Sequence, residues 1–210
     1  RFERLADGSL AGLLVQWNCH PEAMGPDNTQ ITADFPWATI ARLQKQLACP
    51  IAYFTGAVGG LMAPPDDGIR DEQGQPLREG DFEYARRYGE AVADLAAQAA
   101  GESQPIQLTP FSIASRSVAI PIANPLYRTA SLIGLVRRPR VMWTGDYRQT
   151  EPVKRMLAPN DMAIATEVAY LRLGELSVAC IPGEIYPELV YGQYQEPVEA
   201  AADFPEAPLE

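Results

Sequence analysis

One histidine and its neighbours are the residues of this sequence best placed to do chemistry. His20 is the only histidine among 210 residues, and it closely follows an apolar run from Ala11 to Trp17 that reads as a buried strand. Pro21 lacks an amide hydrogen and disfavours the helical region for the residue before it, so the imidazole is presented from a stiff, extended backbone. Such a histidine suits a metal ligand or a catalytic base, although a structural histidine at a strand end is the commoner case.

A carboxylate occupies a similar position late in the chain. Residues 163–173 and 176–181 are strand-like, and Gly174-Glu175 between them fits a tight hairpin connection. The hairpin leads into Pro182-Gly183-Glu184 and then a predicted helix start, so Glu184 also stands where a strand ends. From its own surroundings alone, Glu184 is interpreted as a solvated or helix-capping residue.

A glycine-rich loop follows the second predicted strand, Ile51 to Thr55. Its sequence, Gly56-Ala-Val-Gly-Gly-Leu-Met-Ala-Pro-Pro65, lacks the Gly-Lys-Ser/Thr ending of a phosphate-binding loop and the full Gly-x-Gly-x-x-Gly of a dinucleotide site. Nucleotide binding is therefore weakly supported. Glycines at a strand exit let backbone amides approach a ligand closely, and we expect this loop to face the same crevice as His20.

The elements that must position these residues predict an α/β fold. Residues 11–55 read as strand, helix and strand, a unit that is usually parallel and right-handed. Ligands of open α/β sheets bind beyond the carboxyl ends of the strands. We therefore expect a mixed sheet with flanking helices and a metal-site crevice at the strand exits. Apolar spacing predicts helices over about 35–47, 82–100 and 125–135 and strands over about 105–113 and 116–122. Asp34 and Asp81 are the predicted helix N-caps, and Gly101 is predicted to end the second helix. Residues 137–160 are expected to be irregular.

Composition narrows the expected partners. The formal net charge of −10 opposes binding to phosphate backbones, so nucleic acid is disfavoured as a partner. No run of apolar residues is long enough to span a membrane. Three widely spaced cysteines give no disulfide framework and are expected to be buried. A thiol hydrolase built on Cys19 or Cys180 is a minor alternative, because its only possible imidazole base is His20.

Taken together and in order, the motifs resemble the N-terminal catalytic domain of neutral/alkaline, non-lysosomal ceramidases and their bacterial relatives. The resemblance is carried by His20-Pro21, the Ile31-Thr-Ala-Asp34 helix start, the glycine-rich loop, a Leu-Gly-Glu-Leu-x-Val hairpin and Pro182-Gly183-Glu184. It extends over most of the chain.

The resemblance implies a zinc amidohydrolase that cleaves the N-acyl bond of ceramide. His20 then corresponds to one zinc-binding histidine and Glu184 to the zinc-binding carboxylate. The family's other histidine lies upstream and its tyrosine ligand downstream, and neither has a match here. Residues 1–210 are therefore expected to be part of a single ceramidase-like catalytic domain that lacks N-terminal and C-terminal portions. The family also implies a small-molecule or lipid substrate and a secreted or periplasmic protein.

One departure from the family keeps two hypotheses open. Ceramidases carry a serine near the end of the glycine-rich loop, whereas neither Met62 nor Ala63 has a hydroxyl. The first hypothesis is a zinc-dependent amide hydrolase in which a substrate loop with Gly59, Gly60, Met62 and Ala63 lines the acyl or carbonyl pocket. The second is a non-catalytic domain that binds a sugar or lipid in the same crevice.

Overall fold

The computed structural model describes residues 1–60, 62–65, 68–137, 140–152 and 161–191. The strands are β1 (Phe2–Glu3), β2 (Leu10–Trp17), β3 (Ile51–Thr55), β4 (Phe111–Pro121), β5 (Arg140–Met142), β6 (Glu151–Pro152), β7 (Met162–Leu173) and β8 (Leu176–Cys180). The helices are α1 (Asp34–Leu47), α2 (Phe82–Glu102), α3 (Pro125–Leu132) and α4 (Pro187–Tyr191). None of the helices in these ranges is long and apolar enough to cross a membrane.

The chain divides into two compact units. Unit 1 consists of Arg1–Gln104 together with the segment that starts at Glu184, and unit 2 is Pro105–Gly183. Each unit has its own sheet, and the helices flank these sheets. The predicted mixed α/β class is confirmed. The assignment of residues 1–210 to part of one catalytic domain stays a prediction.

Unit 1 contains the predicted strand, helix and strand arrangement. Its sheet has the order β1-β2-β3, with β1 antiparallel to β2 and β2 parallel to β3. Along β2 the side chains of Leu13 and Val15 are buried while Leu14 is exposed, as expected for a strand with one covered face. Leu13 and Val15 share a core cluster with Leu43 of α1 and Ala93 of α2. The apolar faces of β2, α1 and α2 therefore form one core.

Helices α1 and α2 approach closely at Gly89. A Cβ atom at this position would lie 2.3 Å from the carbonyl oxygen of Phe35 and 2.8 Å from Cβ of Ala38. The hydroxyl of buried Thr39 donates to the carbonyl of Gly89 at 2.9 Å and joins the two helices. This contact fixes α1, and through it the position of the loop that carries His20.

Unit 2 is built on a long antiparallel ladder. Every residue of β4 from Phe111 to Pro121 pairs with a residue of β7. Two further strands also pair with β7, β5 near its start and β8 near its end. Residues 174–175 form the predicted turn between β7 and β8, so the hairpin prediction is confirmed.

Helix α3 is capped by Asn124, whose side-chain oxygen accepts the amides of Leu126 and Tyr127.

Several local predictions are wrong. Gly101 does not stop α2, which continues to Glu102. The two strands expected over 105–122 are the single strand β4, and the region expected to be irregular contains β5 and β6. Cys19 and Cys49 are buried as expected, but Cys180 is exposed on the edge strand β8.

Candidate functional site

The glycine-rich loop and the His20 loop leave the same edge of the unit 1 sheet. Strands β2 and β3 are parallel and end in register, with Trp17 opposite Thr55. The amide of Gly56 donates to the carbonyl of Trp17 at 3.1 Å, and the amide of Ala57 donates to Oδ1 of Asn18 at 3.1 Å. The two loops are thus joined by hydrogen bonds as soon as the strands end.

His20 is held from its backbone and is largely buried. Its amide donates to the carbonyl of Met62 at 2.6 Å, and its carbonyl accepts the amide of Glu22 at 2.9 Å. Only 15% of its side chain is exposed. The backbone at His20 is therefore held in place, and a small part of the imidazole surface is open to solvent.

Asp34 anchors the loop that follows His20. Its carboxylate accepts the amides of Ala23 at 3.0 Å, Met24 at 2.9 Å and Phe35 at 2.7 Å. It is the first residue of α1 rather than the predicted N-cap, a position that Ala33 takes without a side-chain hydrogen bond. Asp34 has a φ of 54°, in the left-handed region that aspartate tolerates better than most residues. The spacing of the sequence indicated a helix start here but not this anchoring contact.

The structure brings His20 and Glu184 together within unit 1. Their Nε2 and Oε2 atoms are 3.7 Å apart, and 70% of the Glu184 side chain is exposed. The distance exceeds that of a good hydrogen bond. A protonated imidazole would form a weak, solvent-screened ion pair with this carboxylate.

The segment after Glu184 lies against the glycine-rich loop. The amide of Gly59 donates to the carbonyl of Ile185 at 2.9 Å. A Cβ atom on Gly59 would lie 2.7 Å from the nitrogen of Tyr186, and one on Gly60 would lie 3.1 Å from Cε1 of the Tyr186 ring. Gly60 also has a φ of 85°, which favours glycine. The glycines therefore allow the close approach of a neighbouring chain segment.

The predicted substrate-loop residues differ in what they present to solvent. Gly59 is buried and its amide is already bonded, so it is not a free donor for an oxyanion. Gly60 and Ala63 are exposed, and Met62 has 39% of its surface exposed. Met62 and Ala63 therefore add exposed apolar surface to the glycine-rich loop, and that the four residues line a substrate pocket stays a prediction.

The donor set fits part of a zinc site. Imidazole nitrogen and carboxylate oxygen are both common zinc ligands, and two such ligands bound tetrahedrally at about 2.0–2.2 Å lie about 3.4 Å from one another. The observed 3.7 Å between Nε2 and Oε2 is close to that separation. In the described ranges no group of three or more His, Cys, Asp or Glu residues is arranged to hold a metal. Among the described residues, His20 and Glu184 could therefore provide at most two ligands of a zinc ion, and that they bind zinc stays a prediction.

The thiol of Cys19 is unsuited to nucleophilic attack. It is buried, with 3% of its surface exposed, and burial raises its pKa above the usual thiol value. Burial likewise raises the pKa of the nearby Tyr53 and Tyr88 hydroxyls. The indole nitrogen of Trp17 donates to the Tyr88 hydroxyl at 3.1 Å, which ties this polar group into the core behind His20. Cys19 therefore belongs to the packing that supports the site.

Comparison with solved structures shows a likeness in fold, whereas comparison of sequences does not. No protein-family profile and no curated protein sequence matches the chain. The structure is similar to the crystal structure of a neutral ceramidase from Pseudomonas aeruginosa, with a TM-score of 0.52 and 17% sequence identity. The match covers 83% of this chain and 32% of the ceramidase, so the chain spans about a third of that protein's length. At this identity the likeness shows a ceramidase-like fold.

Proposed function

We propose that this chain contributes to a zinc-dependent hydrolase of amide bonds, with His20 and Glu184 as two of the metal ligands. The observation that carries the proposal is the 3.7 Å approach of His20 Nε2 to Glu184 Oε2 at the strand exits. The ceramidase-like fold supports it. The remaining ligands, a histidine and a tyrosine by family resemblance, are expected outside this chain. Zinc bound there would polarise an amide carbonyl and lower the pKa of water.

The side chains around the two ligands suit an N-acyl substrate. The backbone of His20 is held by the hydrogen bond from its amide to the carbonyl of Met62 and by the anchored loop that follows it. Glu184 is open to solvent, so a substrate can reach the pair from that side. Met62 and Ala63 present apolar surface where ceramidases have a serine, and this surface suits an acyl chain better than a polar head group. Hydrolysis of N-acyl lipids is the reaction class that these contacts favour, and sphingolipids are the first substrates to test.

A second candidate function is a non-catalytic domain that binds a sugar or lipid in the same place. The absence of a hydroxyl at Met62 and Ala63 favours it. In this case His20 and Glu184 would form only an ion pair, and metal would not be required.

The deciding experiment measures zinc content and amide hydrolysis of the full-length protein, with whatever flanking sequence its reading frame supplies. Wild type is compared with His20→Ala, Glu184→Gln and the control Glu102→Gln, which alters an exposed carboxylate at the end of α2. The hydrolase proposal expects near-stoichiometric zinc in wild type and control, and loss of both zinc and turnover in the other two variants. A wild-type protein without zinc, whose His20 and Glu184 variants behave like the control, would establish the binding domain instead.

A further inference from the structure

The glycine-rich loop touches the backbone on both sides of the candidate metal site. On one side Met62 accepts the amide of His20 at 2.6 Å, and on the other Gly59 donates to Ile185, the residue directly after Glu184, at 2.9 Å. Both bonds are made by the backbone, so they do not depend on flexible side chains. The two candidate ligands are thus attached to the same short loop.

Glu184 has little else to hold it. Its side chain is 70% exposed, and in the part of the chain that the structure describes it has one ion-pair partner, His20 at 3.7 Å. The position of its carboxylate therefore depends on the backbone of residues 184–186. That backbone is in contact with Gly59, since a Cβ atom there would lie 2.7 Å from the Tyr186 nitrogen and 2.8 Å from the Ile185 carbonyl carbon.

We infer that Gly59 is a positioning residue for Glu184, and that the glycine-rich loop sets the distance between the two metal ligands. This inference rests on the proposed function. Alanine at position 59 would meet backbone atoms, which cannot rotate away as a side chain can, so the Glu184 segment must move. Alanine at Gly60 would meet only the Tyr186 ring at 3.1 Å, but it would carry the strain of a φ of 85°.

The test compares zinc affinity by calorimetric titration of the full-length protein, with the flanking sequence that its reading frame supplies, in wild type, Gly59→Ala, Gly60→Ala and Gly101→Ala. Gly101 lies in α2 with nothing within 4 Å of an added Cβ, so it is the matched control. We expect zinc to bind about 10- to 100-fold more weakly in Gly59→Ala, the range typical of lost support behind a metal ligand. Gly60→Ala should lose less, and Gly101→Ala should match wild type.

A measurement without metal separates this inference from the proposed function. In NMR spectra of the zinc-free wild type, the amide of Gly59 should be protected from hydrogen exchange in proton–nitrogen correlations, and an α-proton of Gly60 should show a ring-current shift from Tyr186 in proton–carbon correlations. The shift should be lost in Gly59→Ala and kept in Gly101→Ala. If Gly59→Ala does not fold by circular dichroism, Gly60→Ala carries the comparison, with a smaller loss of zinc affinity and faster hydrogen exchange of the Gly59 amide.

The outcomes are distinct. Unchanged zinc affinity in a folded Gly59→Ala, or a Gly59 amide that exchanges as fast as an exposed one, overturns the positioning role. A wild type that binds no zinc overturns the proposed function, and the exchange and ring-current data then decide whether Gly59 holds the 184–186 segment in place.

Discussion

The carboxylate of Asp34 should contribute more to the stability of unit 1 than any surface charge. It is 8% exposed and accepts three backbone amides, which belong to the buried residues Ala23, Met24 and Phe35. A hydrogen bond to a charged group contributes about 1.5–3 kcal/mol, and a buried amide left without a partner costs about 1–3 kcal/mol. Substitutions at Asp34 should therefore lower the free energy of unfolding in a graded way.

The gradation follows from the atoms that each variant keeps. Asp34→Asn retains one acceptor oxygen but turns a donor towards one amide, so it should lose about 2–3 kcal/mol. Asp34→Ala leaves the three buried amides without this acceptor, at about 1–3 kcal/mol each, and adds about 1–2 kcal/mol for an alanine in the left-handed region. Asp34→Gly removes the same carboxylate without this strain, so it should be about 1–2 kcal/mol more stable than Asp34→Ala.

Urea unfolding followed by tryptophan fluorescence and circular dichroism measures these differences. Trp17 and Trp37 report on unit 1. Asp27→Asn, at an exposed position in the same loop, is the control and should stay within about 0.5 kcal/mol of wild type. An Asp34→Asn chain with the wild-type free energy of unfolding would refute the anchoring role, and an Asp34→Gly chain less stable than Asp34→Ala would refute the strain argument.

Three further predictions concern the rest of the chain. Gly89→Ala should lower the free energy of unfolding by about 2–3 kcal/mol, because its Cβ would meet the backbone of α1 2.3 Å away. Gly101→Ala in the same helix meets no atom and should raise the free energy of unfolding by about 0.5–1 kcal/mol. Urea unfolding midpoints measure both effects, and equal shifts in the two variants would contradict the close packing at Gly89. A thiol reagent should label one cysteine per folded chain, Cys180, and three after unfolding; rapid labelling of a second thiol in the native chain would argue against the burial of the other two. A hydrogen bond from Arg42 holds the pKa of the Asp94 carboxyl below its usual value. The ionised Asp94 therefore stabilises the folded chain above about pH 4, and this contribution is lost as the pH falls through the lower pKa of the folded state. Asp94→Asn should therefore cost under about 1 kcal/mol at neutral pH, less in high salt and nothing at strongly acidic pH, and a pH-independent difference in urea midpoint would contradict this.

The fold was predictable where a local pattern and a tertiary contact agree. The buried alternation of Leu13 and Val15 and the apolar spacing of α1 produced correct elements within one or two residues. The prediction failed at Gly101, because a glycine in an exposed helical turn costs too little to end a helix of 21 residues. It failed in β4 because the small and polar residues in the middle of that strand are held by pairing with β7, which no local pattern reveals.

The candidate site was predictable only in part, because some of its contacts join segments that are far apart in the sequence. The sequence identified His20 and Glu184 by their place after strands, and the structure brings them to 3.7 Å. It did not indicate that Asp34 binds amides ten and eleven residues earlier, or that Gly59 pairs with Ile185 far along the chain. These contacts join distant segments through backbone groups, which every residue carries, so residue types alone could not predict them.

The bonds from Asp34 to Ala23 and Met24 also close a small loop of chain. Residues 25–33 run between two points that are fastened to each other, and most of them are exposed. A change in the length of such a closed loop adds little entropic cost and does not move its ends. This stretch is therefore where relatives of the protein should gain and lose residues most freely, and where a fluorescent tag or affinity peptide could be inserted while His20 keeps its place.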